Sequence, residues 1–403
     1  MTAVKQLRLG VVGYGNRGVI AERAAHADEH AEVVAVYDPS EAGQGRARSK
    51  FGADARIAET IEDFADADRI DAAFITSPDA AHAEQAITLL EAGIPVFVDK
   101  PMAITLADAD RILESAYATG TKLYIGHNMR HMPVIRLMKD IIDSGRIGEV
   151  KAVWCRYFVG DGGDRFFKDW HAERSQVNSL LLQKGAHDID VIHWLAGGYS
   201  RRVVAMGGMT LYDGLPDRSQ DGEGRLVSEW LDREKNWPPR SNTGLNPVID
   251  VEDISMMTMH LDNGVFASYQ ECHYTPDYWR NYTVIGDAGR IENFGLGSDG
   301  YVRVWDRRTE FKEHGDEEIP IPKVEGGHHG ADPALLAEFL QFVREGTPTA
   351  TSPVAAREAV AAAALATESI RGGNHPQQVP PLRPELRTYF EHGQTRPTPR
   401  HSA

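Results

Sequence analysis

The first third of this chain alternates short apolar runs with helical patterns, and that rhythm restricts the fold more than any other feature. It reads LRLGVVG, a helical pattern over 19–27, EVVAVYD, a second over 41–51, AAFITS, a third over 80–92, PVFVDK, a fourth over 106–119, and KLYIGHN. Strands joined through helices to parallel neighbours bury apolar surface on both faces of one sheet, so the pattern predicts a doubly wound α/β Rossmann domain. From residue 150 the rhythm changes. A helical pattern over 180–195 is followed by RVVAMGGMTLY, ISMMTMHL, GVFASYQECHY, YTVIGD, GRIENF and YVRVWD, which predicts an α+β domain on a large, mostly antiparallel open sheet.

A chain of 403 residues has room for two such cores. The expected division is 1–127 for the Rossmann domain, 128–385 for a substrate-binding and oligomerisation domain, and 386–403 for a polar tail. Closing helices near 333–371 are expected to pack back on the first domain. Residues 213–250, rich in Gly, Pro, Asp, Asn and Ser yet carrying Trp230 and Trp237, read as a lid, a subunit contact or a solvated loop with local anchors.

The net charge of -16 argues against nucleic acid or an anionic membrane as partner. No run reaches about 18 apolar residues, and no apolar signal region precedes the first strand. Two cysteines, Cys155 and Cys272, form no framework, so a reduced, cytoplasmic protein is expected. His328 and His329 are adjacent in a Gly-rich turn, which is poor ligand spacing, and no metal site is expected.

GVVGYGNRG places Gly13, Gly15 and Gly18 in G-x-G-x-x-G spacing between the first strand and its helix. Gly13 permits the turn, Gly15 lets backbone approach a pyrophosphate, and Gly18 brings helix and strand together. Tyr14, Asn16 and Arg17 share that loop and are expected along the cofactor. Asp38 ends the next strand, where a carboxylate accepts from an adenosine ribose and repels a 2'-phosphate, which favours NAD over NADP. Arg46 and Arg48 keep NADP as the lesser option.

With TSPDAAH at 76–82, DKP at 99–101, GHNMRHMP at 126–133 and GAHDIDVIHWL at 185–195, the chain resembles the glucose-fructose oxidoreductase, inositol dehydrogenase and rhizopine-catabolism (Gfo/Idh/MocA) family over nearly its whole length. The resemblance implies an NAD enzyme acting on a sugar or cyclitol bound between the domains. It places Lys100 at the reacting hydroxyl, with Asp99 and Pro101 shaping its turn, and puts Thr76, Ser77, Pro78, His82 and Asn128 along the cofactor or cleft edge. It makes His187 the general base or its relay, a role that suits a group titrating near neutrality. The chain departs from the family where Gln183 replaces the usual Asp, four residues before His187, and Lys184 adds a cation.

Gln183, Lys184, His187 and Asp190 fall at helical spacings on an otherwise apolar segment, so their shared face is expected to line a cleft. Arg130, His131, Trp170, His171, Arg174, His273, Tyr274 and Tyr278 are further candidates for a sugar, whose C–H face stacks on rings while its hydroxyls bond polar groups. Three activities remain open at this point. The first is an NAD-dependent dehydrogenase of a sugar, sugar derivative or cyclitol; the second is an NAD-dependent glycosidase using transient oxidation, possible on an anionic glycoside received by Lys184 and Arg174. The third is a non-catalytic NAD-binding sensor. An open sheet in the second domain predicts a homo-oligomer, dimer or tetramer, joined through that sheet.

Overall fold

The computed structural model describes residues 4–219 and 224–395. The chain divides into two compact units, one of Met1–Gly126, Leu335–Arg357 and Pro381–Ala403, the other of His127–Ala334 and Glu358–Pro380.

In the first unit, β1 (Leu7–Val12), β2 (Ala31–Tyr37), β3 (Arg56–Ala58), β4 (Ala72–Ile75), β5 (Val96–Val98) and β6 (Leu123–Ile125) form one parallel sheet in the order β3-β2-β1-β4-β5-β6. The order reverses between β1 and β4, so the loops after those strands diverge and leave a crevice for ligand. Local chemistry sets the helix ends. Ser40 Oγ accepts from Gly43 N at 3.0 Å and Thr105 Oγ1 from Asp108 N at 3.0 Å, each satisfying a first-turn donor, and Gly120 closes the helix Leu106–Thr119 at φ 72°. The predicted helix over 80–92 begins as a 3₁₀ turn, Asp79–Ala81, and becomes α-helical only over His82–Glu91.

The core of this unit is aromatic. Phe339, from the helix Ala331–Glu345, packs its ring 5.1 Å from Phe74, 5.5 Å from Phe97 and 5.4 Å from Tyr124. The reading of 386–403 as tail is corrected at its start. Pro384–Glu391 is a helix with Leu386, Tyr389 and Phe390 buried, because their i, i+3, i+4 spacing makes a stripe that Tyr389 docks on Tyr117 at 5.1 Å. Residues 396–403 of that reading lie outside the described ones.

The second unit carries β7 (Val150–Phe158), β8 (Ser200–Gly208), β9 (Ile254–Leu261), β10 (Phe266–Cys272), β11 (Trp279–Gly286), β12 (Arg290–Phe294), β13 (Tyr301–Trp305), β14 (Glu317–Pro320) and β15 (Gln377–Gln378). They form one sheet in the order β14-β13-β12-β11-β7-β10-β9-β8-β15, antiparallel except for the β7–β10 pair. The single helix expected over 180–195 is broken at Lys184 into Leu180–Gln183 and Gly185–Ala196. Gly185 is needed there, since a Cβ would lie 2.9 Å from the Tyr269 ring on β10.

The helix Gly185–Ala196, hereafter the site helix, covers one face of this sheet. Strand alternation sends Trp154, Met206, Met256 and Phe266 to the other face, where they are 47–60% exposed. Register also puts Cys155 on the covered face and Cys272 on the open one, so the two thiols cannot pair. Among the described residues no helix is long and apolar enough to cross a membrane.

Phe339→Ala should lower stability by about 3 to 5 kcal/mol, because it removes a fully buried ring and leaves a cavity among three others. Denaturant unfolding followed by far-UV circular dichroism measures this; a loss under about 1 kcal/mol would show that the aromatic cluster is not the core of the unit.

Candidate active site

In the first unit the glycine loop is built around two carboxylates. Asp38 is buried at the end of β2, where its Oδ2 accepts from Tyr14 N at 2.7 Å and its Oδ1 from Ser40 N at 2.8 Å and Ser40 Oγ at 2.6 Å. Each carboxylate oxygen offers about two lone-pair sites, so one on Oδ2 is left for a ribose hydroxyl. Gly13 turns at φ 83°, and a Cβ there would meet Ser77 N at 2.5 Å, whereas the Cβ direction of Gly15 is open for 4 Å. That opening and the Asp38 carboxylate fit a dinucleotide pyrophosphate and ribose. Arg46 Nε donates to the Tyr14 carbonyl at 3.1 Å and Arg48 donates to Gln44 at 3.0 Å, so both arginines are engaged close to home.

The second carboxylate is Asp99, directly after β5. Arg17 Nε donates to Asp99 Oδ2 at 2.9 Å and ties the glycine loop to the Asp99-Lys100-Pro101 turn. Burial by itself would raise the Asp99 carboxyl, but Arg17 and Lys100 outweigh it and hold the group below its usual value. The Lys100–Pro101 peptide is cis. Behind the turn, buried His82 touches the Pro101 carbonyl at 2.8 Å and the Ser77 carbonyl at 3.0 Å, while Thr76 Oγ1 donates to the Gly13 carbonyl at 2.6 Å. Ser77 Oγ donates to Gln85 at 2.5 Å. Thr76, Ser77 and His82 thus brace the turns that carry Gly13 and Lys100.

In the second unit Lys184, His187 and Gln183 come together at the N-terminal end of the site helix. Lys184 Nζ lies 5.0 Å from the centre of the Phe166 ring and 6.0 Å from that of Tyr157. Phe166 also meets His273 and His171, each at 5.4 Å. The His187 ring stands edge-on to His127 at 6.1 Å. Burial first, and then the Lys184 charge, pushes His273 down to about 3, which keeps it neutral.

Other predicted residues are occupied elsewhere. Arg130 grips Asp190 through two bonds of 2.7 Å, with His127 Nδ1 3.2 Å from the same carboxylate, so it anchors the site helix instead of facing a sugar. His131 Nδ1 contacts Arg136 at 3.0 Å, Asn128 donates to Asp332 at 3.0 Å, and Arg174 is bound to Asp250. Trp170 stacks on His171 at 3.7 Å, and His171 contacts Asp169 at 2.6 Å. Tyr274 accepts from Thr210 Oγ1 at 3.2 Å. Among the described residues no cluster of His, Cys, Asp and Glu could hold a metal.

Sequence reading missed Phe166, Tyr157, Asp188, Glu271 and Arg280. Strand alternation could have put Tyr157 and Glu271 on a common inner face, but not under Lys184. Arg280 lies 3.8 Å over the Tyr157 ring and pairs with Asp188 at 3.1 Å. Glu271 is buried, accepting from Tyr269 OH at 2.9 Å. Burial, with Asp188 and Glu252 opposing Tyr269 and Lys184, raises its pKa to about 8, so it is protonated at neutrality.

The chain thus pairs a dinucleotide-binding α/β unit with an α+β unit whose site helix carries His187, with Lys184 at its N-cap, an arrangement of the oxidoreductase class. The chain belongs to the Gfo/Idh/MocA oxidoreductase family: the family's NAD-binding Rossmann fold matches residues 7–127 and its C-terminal alpha/beta domain matches 139–379. It is 26% identical over 354 residues to YteT of Bacillus subtilis (strain 168), named as an oxidoreductase, covering 77% of this chain and 82% of that one. It is 31% identical to an inositol 2-dehydrogenase of Gluconacetobacter diazotrophicus over 194 residues, spanning 48% of this chain and about half, 55%, of that relative. Among solved structures, a levoglucosan dehydrogenase with NADH and levoglucosan superposes at a TM-score of 0.76 with 19% identity, covering 93% of this chain and 100% of that one. GenD2 from gentamicin A biosynthesis, with NAD, superposes at 0.70 with 18% identity, covering 94% and 98%. These structural likenesses show the fold.

The raised Glu271 value gives a pH test. The unfolded carboxyl ionises near 4.5 while the folded one keeps its proton to about 8, so this group's contribution to stability is intact below 4.5 and is lost as pH rises through that window. Glu271→Gln should flatten the decline, which urea unfolding between pH 4 and 9 reads directly. An unchanged slope would mean that Glu271 ionises normally in the fold.

Proposed function

We propose that the protein is an NAD-dependent oxidoreductase that moves hydride between the nicotinamide and a hydroxyl-bearing carbon of a sugar, sugar derivative or cyclitol. The observation that carries this reading is Asp38, a buried carboxylate bonded to Tyr14 N and Ser40 at the glycine loop. It accepts from a ribose hydroxyl, and a 2'-phosphate beside it would meet negative charge with Arg46 and Arg48 already engaged. NAD, when bound by Gly13, Gly15, Gly18 and Asp38, supplies the hydride acceptor. The names of the relatives support a polyol substrate, since they include an inositol 2-dehydrogenase and a levoglucosan dehydrogenase.

The chain's own residues supply binding and proton transfer. Lys100, fixed by the Arg17-bound Asp99, donates to and polarises the reacting oxygen. His187 takes or relays the hydroxyl proton, because Gln183, at the family's usual Asp position, cannot act as base. Lys184, held beside the buried Phe166 and Tyr157 rings, offers a second cation to substrate oxygens.

The open sheet face supports a homo-oligomer: Trp154, Met206, Met256 and Phe266 together are costly to leave in water. The two free thiols suit a reducing, cytoplasmic setting.

With NAD and a panel of sugars, glycosides and cyclitols, absorbance should report NADH, and His187→Ala should lower kcat by roughly 10²- to 10⁴-fold. Lys100→Ala should fall comparably, while Asp38→Ala should narrow the preference for NAD over NADP. A folded protein that binds NAD yet forms no NADH with any of the panel defeats the reading. Glycoside cleavage with solvent deuterium at C2 and no net NADH would establish the glycosidase instead. Trp154→Glu with Phe266→Glu should shift the light-scattering mass to that of a monomer; an unchanged oligomer would place the contact elsewhere.

A further inference from the structure

Residues 220–223 of the segment 213–250 lie outside the described ones, and its described stretch 224–250 is tied into the second unit. Trp230 Nε1 donates to the Asp164 carbonyl at 2.7 Å, Asn236 Nδ2 to Asp164 Oδ1 at 2.5 Å, and Arg233 grips Asp161 through contacts of 3.1–3.2 Å. Lys168 holds Asp164 from the other side at 2.8 Å. This polar frame encloses a cavity of about 310 Å³ between the segment, the helix Gly162–Phe166 and residues 276–278.

The lining has a specific chemistry. Trp237 and Tyr278 each leave 42% of their surface exposed while lining the same cavity, which is costly for two large rings unless something covers them. Asn242 is nine-tenths buried in the lining; its amide nitrogen is committed to the Asn236 and Pro239 carbonyls, and its Oδ1 is buried with no protein partner. Aromatic faces beside fixed amide, carboxylate and guanidinium groups suit a sugar ring. Charge restricts the kind: of the four lining carboxylates, Asp161 is paired with Arg233 and Arg165 and Asp164 with Lys168, which leaves Asp232 and Asp277 to disfavour an anionic sugar.

The cavity lies next to the groups already described. Tyr278, in its lining, has its ring centre 6.5 Å from that of Tyr157, which lies 6.0 Å from Lys184 Nζ.

We infer that this cavity is a second saccharide subsite, taking a neutral sugar ring of a glycoside with at least two rings, stacked on Trp237 and Tyr278 and hydrogen-bonded by the rim carboxylates Asp232 and Asp277. The inference rests on the sugar-oxidoreductase reading for the other ring, and it narrows the substrate from free sugars to neutral glycosides. It also disfavours the anionic glycoside considered from sequence.

The test uses the full chain without NAD, titrated with neutral disaccharides, their component monosaccharides and a uronic-acid disaccharide, with tryptophan fluorescence and saturation-transfer NMR as readouts. Neutral disaccharides should bind about tenfold or more tightly than monosaccharides, the scale expected of one good aromatic contact. Trp237→Ala and Tyr278→Ala should erase that difference while circular dichroism and NAD binding stay unchanged. In turnover they should raise KM for two-ring substrates and leave kcat alone. Asp277→Lys, a surface change, should improve uronide binding. Equal binding of one- and two-ring sugars, or wild-type binding by both aromatic variants, overturns the subsite. NADH formed from monosaccharides with no gain from a second ring would sink the subsite and keep the oxidoreductase; ring-dependent binding at Trp237 with no NADH from any substrate would do the reverse.

Discussion

The second unit is organised by one buried carboxylate. Asp188, on the site helix and fully buried, pairs with Arg280 of β11 at 3.1 Å, accepts from Tyr282 OH, and lies 3.7 Å from Cys155 Sγ on β7. A buried ion pair is weak evidence for stability, since desolvation offsets much of the attraction. Its value here is registry. A slide of the helix along the sheet would strand Asp188 and Arg280 apart in low dielectric, so the helix keeps one position, and with it Lys184 and His187 keep theirs. Asp190 adds a second lock about half a turn on, through Arg130 and His127, and burial there is overcome by Arg130 and His127 so that the carboxyl stays well below its ordinary value.

The first unit uses the same device at its own strand ends. Asp38 and Asp99 are both buried, and both spend their oxygens on the glycine loop, one through the Tyr14 amide and one through Arg17. The loop is therefore fixed before any ligand arrives, which is what a phosphate cradle requires if binding is not to be spent on ordering. His82 plays a corresponding part from below, joining the Ser77 and Pro101 carbonyls. Residues of the family motifs that look like ligand contacts thus include some whose work is to hold others.

Gln183 and Lys184 become easier to understand beside Glu271. A family site with an acid four residues before the His places negative charge on the helix; this chain has none at Gln183, and keeps Glu271 protonated beneath Lys184. The Lys184 charge also contributes to the lowering of His273.

What the sequence by itself determined is considerable, because it was carried by short-range signals. The parallel sheet class of the first unit, the helix bounds over 19–27, 41–51 and 106–119, and the Gly13, Gly15 and Gly18 turn follow from periodicity and local sterics. Asp38 and Lys100 could be placed at strand ends, which is where such sheets offer a crevice to ligands. The short strands β3, β14 and β15 escaped notice, since two to four residues carry no readable period, and the buried stripe of Leu386, Tyr389 and Phe390 was lost in a polar tail. Tertiary structure alone decided which polar groups are spent on one another: Arg130 on Asp190, Arg174 on Asp250, Arg17 on Asp99. It alone brought Phe166 to Lys184 and Trp237 to Tyr278, partners separated by 18 and 41 positions in the chain. Pairings over such separations leave no trace in local pattern, because they are set by how sheets and loops pack and not by the residues that flank each partner.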